Sequence, residues 1–277
     1  MLEKATWKQK LFNIFQCVFV LLVYSFTYIP LVIIVYQSFN SAANSIVPLQ
    51  WGGFTLENFA ALFTNKSLYT SILDSLLVSL WATVISTIFG VFTCFGIISL
   101  KKKLRKTMDF LNEIPMLSSE IVTGISLMVV FSLVKPLFPR IFGFPTMLIA
   151  HIFFTLPYVI MMVLPKLEQT DDSLYEAARD LGCPPMKALF KVVVPSLSTA
   201  ILMGALVAFT LSVDDFVISF YTQGNGFSNF SNYVYSSYTK KNFSAGAYAF
   251  DALLTFLTLA VVLLASRKWN KKKGAKQ

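Results

Sequence analysis

Five carboxylates stand within or at the ends of long apolar runs, Asp74, Glu120, Asp214, Asp215 and Asp251, and no Lys or Arg lies deep in any of those runs. A carboxylate at the middle of a membrane helix costs about 2.5–3.5 kcal/mol, so such residues usually face a cavity or a partner rather than lipid. Several acids without a basic counterpart create a favourable potential for a cation. Asp214 and Asp215 carry this reading furthest, because they sit about 9 Å beyond the middle of their run at 1.5 Å per residue. Neighbouring side chains on a helix diverge by about 100°, which sends one of the pair toward a cation path and the other toward a protein partner or the outer mouth. Asp74 and Asp251 fit equally as interfacial residues wetted by headgroups. Tyr221, Tyr233, Tyr235 and Tyr238 offer rings for cation–π contact. His151, the single histidine, suits a buried hydrogen-bonded role better than a proton relay.

A second group carries no chemistry of its own but has the form of a docking element. Ser173-Leu-Tyr-Glu176 is a capping box, in which the Ser173 hydroxyl accepts from the backbone three residues on and Glu176 reaches back. Gly182 supplies the left-handed residue that ends a helix. The two turns between them are too short to be stable alone in water, so they rest on something, either this protein or another. Small Ala177 and Ala178 permit close approach.

Positioning these groups falls to six apolar stretches, 14–36, 71–99, 116–137, 145–165, 196–220 and 247–266. Each reaches the roughly 20 residues of helix that span a bilayer. The chain of 277 residues is 56% hydrophobic and only 13% charged, which excludes a disordered chain, a nucleic-acid binder and an ordinary soluble enzyme. Its net charge of +9 follows from topology. With both termini inside, eighteen of the 23 Lys and Arg fall in inner segments, and Lys66, Lys135, Arg140, Lys240 and Lys241 fall outside. The first stretch reads as a retained anchor rather than a signal peptide, being too long for an h-region and lacking a small-x-small site. Trp51, Phe54, Phe59, Leu62 and Phe63 suit a short amphipathic helix on the outer interface. In the fifth stretch Ala200, Gly204, Ala208 and Ser212 recur every four residues, a small-residue stripe for close packing, either against a second subunit or within this one. Residues 1–277 form one membrane domain, with 166–195 as an inner loop inside it. No G-x-x-x-x-G-K-[ST], H-E-x-x-H, G-x-S-x-G or Cys/His cluster is present, and Cys17, Cys94 and Cys183 follow no metal spacing.

Glu176-Ala177-Ala178, Gly182 and, nine residues later, Val192-Val193-Val194-Pro195 resemble the EAA loop of binding-protein-dependent ABC importer permeases, with two conservative Val substitutions. Tyr28-Ile-Pro30, Gln37-Ser-Phe-Asn40, Trp51-Gly-Gly-Phe-Thr55, the run from His151 to Pro157 and Phe209-Thr-Leu-Ser-Val-Asp-Asp215 extend the resemblance to the spermidine/putrescine permeases. The resemblance implies an all-α polytopic membrane protein of the type I importer permease fold, with six transmembrane helices and both termini cytoplasmic, in the plasma membrane of a bacterium. It implies that Ser173, Glu176, Ala177, Ala178 and Gly182 form a coupling helix docking on cytoplasmic ATPase subunits. ATP and Mg belong to those ATPases, and this non-catalytic subunit binds no cofactor. The implied partners are a second permease subunit, an external substrate-binding protein and a polyamine, with no nucleic acid. The candidate substrate path is Asp214, Asp215, Ser212, Glu120 and Asp251, whose separated acids match the spaced ammonium groups of a diamine or triamine. The alternatives are a permease for another small cationic or polar solute and an ion-coupled cation transporter.

Overall fold

The computed structural model describes residues 7–45, 49–171, 173–224, 226–240 and 243–274, with the backbone alone for 8–10 and 261–274. Lys4, Lys241 and Lys276, which enter the charge asymmetry, lie outside the described residues. In chain order the helices are α1 (Trp7–Ser38), α2 (Glu57–Thr64), α3 (Lys66–Ile98), α4 (Lys102–Leu117), α5 (Glu120–Val134) and α6 (Phe144–Glu168). The short α7 (Ser173–Asp180) and α8 (Pro185–Ala188) lead through a π-helical turn, Leu189–Val193, into α9 (Val194–Ser196). Then come α10 (Ser198–Asp214), α11 (Val217–Thr222), α12 (Phe230–Thr239) and α13 (Gly246–Gly274).

All six predicted apolar stretches fall on helix, but not all on one straight helix. Within α1, Leu11–Ser38 is long and apolar enough to cross a membrane, as are α3 and α6. The stretch 116–137 spans a 99° bend between α4 and α5, and the chain entering α10 from Pro185–Ser196 turns by 72°. The stretch 196–220 breaks after Asp214, where α11 starts anew. The sixth stretch, 247–266, lies on α13 (Gly246–Gly274). Pro115 near the end of α4 removes a backbone donor just before the first bend.

The chain divides into two compact units, 1–69 with 237–277, and 70–236. In the first, α1 and α2 pack on α13. The amide of Asn58 on α2 donates to the carbonyls of Gln37, Ser38 and Asn40 at 3.3, 3.1 and 2.9 Å, which satisfies groups that the end of α1 leaves without helical partners. Phe39 lies between Phe54 and Phe59, with centroids at 5.6 and 5.1 Å, and Tyr36 meets Trp51 at 5.0 Å. The expected interfacial helix is therefore only α2: Phe59, Leu62 and Phe63 lie on it, whereas Trp51 and Phe54 precede it. Leu62 is buried and Phe63 faces outward.

In the second unit α6 is the central helix. Val159, Ile160, Val163, Leu164 and Leu167 of α6 bury themselves against Cys94 and Ile97 of α3, Ala208 of α10, and Val193 and Leu197. Val159 sits between two glycines. A Cβ on Gly90 of α3 would meet its Cγ1 at 2.7 Å, and one on Gly204 of α10 would meet its Cα at 3.3 Å. The small-residue stripe is thus taken up inside the subunit: Gly204, Ala208 and Ser212 are buried facing α6. Arg105 of α4 pairs with Glu168 at the end of α6.

Candidate functional site

The break after α10 organises the site. α10 ends at Asp214, and Asp215 takes an extended conformation at φ −62°, ψ 127°. The Asp215 carboxylate then accepts the N–H of Ile218 at 3.3 Å and of Ser219 at 2.7 Å, so it caps α11 in the manner of an N-terminal Asp. Its own carbonyl accepts from the Asn229 amide at 2.7 Å, and the Asn229 Oδ1 receives the N–H of Asn232 at 3.0 Å, which starts α12. Asp215 is 9% exposed. Its neighbour Asp214 is exposed.

Asp214 opens into a cavity of about 330 Å³. That volume lies at the small end of the range for ligand pockets, roughly 300–1,000 Å³. Its walls come from Pro115 and Met116 at the end of α4, Glu120 and Thr123 on α5, Phe154 and Tyr158 on α6, and Thr210 and Leu211 of α10. Asp215, Phe216, Val217 and Ile218 complete the side toward α11. Among the described residues lining it there is no Lys or Arg. Glu120 reaches the cavity because it is the first residue of α5, directly after the 99° bend. Two acids from different helices, Glu120 on α5 and Asp214 on α10, with aromatic rings in the same lining, suit a cation carrying more than one charge centre.

Behind the cavity wall lies a buried polar network. His151 of α6 is 1% exposed, with Nδ1 2.6 Å from Ser212 Oγ and Nε2 2.9 Å from Ser219 Oγ. Its Nε2 is 3.7 Å from the Asp215 carboxylate. Ser212 also donates to Ser79 of α3 at 3.1 Å, and the Phe230 N–H donates to Ser75 at 2.6 Å. His151 therefore has the buried hydrogen-bonded character expected from the sequence.

The sequence-derived candidates thus separate. Glu120, Asp214 and Asp215 meet at one cavity, with the Asp215 oxygens occupied by backbone N–H groups. The Ser212 hydroxyl belongs to the network behind it. Asp251 lies on α13, in the other compact unit, and Asp74 accepts the N–H of Ser228. Of the tyrosines singled out, Tyr221 packs where a Cβ on Gly124 would be, and Tyr235 packs on Phe216 and Phe220. Tyr158, Phe154 and Phe216 line the cavity instead. Nothing in the pattern marks Tyr158, which lies one residue past Pro157 in an apolar run.

The expected docking helix is α7. It opens at Ser173 itself, and the acceptor before it is Asp171, whose carboxylate takes the Ser173 N–H at 2.9 Å. That bond holds the Asp171 carboxyl below its ordinary range. The capping position assigned to Ser173 therefore moves upstream. At the other end Gly182 has φ +79°, and the N–H of Cys183 bonds the Ala178 carbonyl at 3.1 Å, as in a Schellman ending. A Cβ on Gly182 would meet nothing within 4 Å, so its need for glycine is conformational. Tyr175 packs on the α6 core, while Leu174, Glu176 and Ala177 are exposed, as is Leu181 just beyond.

Residues 82–273 match a family described as binding-protein-dependent transport system inner membrane component. The chain is 30% identical to the spermidine/putrescine transport system permease protein PotC of Haemophilus influenzae, covering 89% of this chain and 93% of that one. It is also 30% identical to the putrescine transport system permease protein PotI of Escherichia coli, covering 80% and 79%. Among solved structures, a chain of a bacterial ABC transporter involved in import of the acidic polysaccharide alginate superposes with a TM-score of 0.69 at 16% identity, over 96% of this chain and 98% of that one. The structural likeness speaks for the fold alone.

Proposed function

The chain belongs to the family of binding-protein-dependent transport system inner membrane components and is a permease subunit of an ABC importer, and from that premise we propose that its substrate is a polyamine of the spermidine and putrescine class. One observation carries the proposal: Glu120 and Asp214 share a cavity with Tyr158 and Phe154, with no Lys or Arg among its described lining residues. An ammonium about 4 Å from a carboxylate gains about 4 kcal/mol at an effective dielectric constant near 20, before desolvation is subtracted. Two such pairs at separate points favour a flexible molecule with spaced charges over a single small ion. The names of the relatives point the same way.

In this reading the chain forms half of the path and a second, different permease subunit forms the other half. An external binding protein delivers the polyamine. Cytoplasmic ATPase subunits, holding ATP and Mg, act on α7 through the exposed Glu176, Ala177 and Leu174, and both termini of this chain are cytoplasmic. Alternating access then requires two states of different affinity for the substrate.

Competition tests the substrate. In membrane vesicles carrying the whole transporter, unlabelled putrescine or spermidine at about ten times its Kd cuts uptake of labelled spermidine about tenfold by mass action. A neutral amino acid at the same concentration leaves uptake unchanged. Equal competition by the neutral amino acid, or none by either amine, overturns the polyamine assignment.

A further inference from the structure

We infer that His151 is a positioning residue for the cation cavity: it bridges the break between α10 and α11, and so fixes which carboxylate faces the substrate. The inference rests on the reading that Asp214 meets the cation.

No proline lies between Asp214 and Val217 to force the helix to end there. A break inside an apolar run strands backbone N–H and C=O groups, and in a membrane each must find a partner within the protein. Here the partners are built in. Asp215 takes the N–H groups of Ile218 and Ser219, and Asn229 takes the Asp215 carbonyl. What remains is to hold the two helix ends against each other, and one imidazole does so. Its Nδ1 meets Ser212, in the last turn of α10, at 2.6 Å, and its Nε2 meets Ser219, in the first turn of α11, at 2.9 Å. The ring is 1% exposed, and His151 is not among the cavity's lining residues, so it acts through other groups rather than on the substrate.

The direction of Asp214 follows from this clamp. Asp215, extended just after α10, has its carboxylate held on the α11 amides, while Asp214, the last residue of α10, stays exposed in the cavity. Without the ring, Ser212 loses one of its two hydroxyl partners and Ser219 its link to α6. The last turn of α10 is then held through Ser212 by Ser79 alone, and the Asp214 carboxylate shifts within the cavity that it shares with Glu120.

A double-mutant cycle on the assembled transporter in vesicles separates this role from ordinary packing. His151→Phe, which keeps a ring of similar size and removes both nitrogens, raises the KM for spermidine about tenfold, the equivalent of one hydrogen bond to a charged group, with kcat little changed. In an Asp214→Asn background the same substitution raises KM no further. Ser219→Ala removes one hydroxyl and no ring. It is carried through the same cycle and gives a smaller, equally non-additive rise, so the inference stands on this second variant should His151→Phe fail to assemble. Additive effects on KM, or a fall in kcat at constant KM for either variant, overturn the positioning role. An inert Asp214→Asn overturns the cavity reading itself, a result distinct from additivity.

Discussion

Glu176→Lys lowers ATP-driven uptake about a hundredfold or more while the subunit reaches the membrane in normal amount, because a like-charge contact at a docking interface costs several kcal/mol. The structure separates the two halves of that expectation. Glu176 is exposed in the first turn of α7, and the side chain that holds this helix on its own subunit is Tyr175, packed on the α6 core. Exposed substitutions away from packing change stability by only about 0.5 kcal/mol, and a lysine near a helix N-terminus adds about 0.3–1 kcal/mol of dipole opposition. The fold tolerates both, so the loss must fall on what docks there. Membrane abundance by immunoblot, uptake in vesicles, and co-purification of the ATPase measure the three quantities separately. Normal uptake by the variant removes α7 from the coupling route.

Asp214→Asn raises the KM for spermidine by about ten- to a hundredfold, the loss of one charge-assisted contact of roughly 1.5–3 kcal/mol. The amide has the shape of the carboxylate and lacks its charge, and Asp214 is exposed in the cavity, so the folded subunit keeps its thermal stability. Glu120→Gln acts on the same cavity from the α5 side. A triamine spanning both acids is affected by either change. A KM unchanged in both variants would place the substrate path elsewhere.

Much of the fold was legible in the sequence because hydropathy is summed over some 20 residues and survives local irregularity. Gly182 was legible for a different reason: a left-handed helix ending leaves few choices of residue, and its φ of +79° bears that out. The break at Asp214 was not legible, because 196–220 reads as one apolar run and hydropathy does not register where backbone hydrogen bonds stop. The available signal was the chemistry of Asp215, since Asp is among the residues preferred as a helix N-cap. The bend before Glu120 was hidden likewise. The amphipathic α4 merges into the apolar run that follows it, so 116–137 looks continuous although the helix turns by 99° at Ser118 and Ser119. The small-residue stripe shows a further limit. Its spacing predicts a close helix contact and cannot name the partner, which among the described residues is α6 of the same chain.

The most direct measurement is uptake of labelled spermidine into liposomes that hold this chain with its partner permease and ATPase subunits, supplied by the binding protein from outside. With hydrolysable ATP enclosed, spermidine accumulates against its gradient, and with a non-hydrolysable analogue enclosed it does not. Accumulation that proceeds without nucleotide, or by this chain alone, contradicts the account.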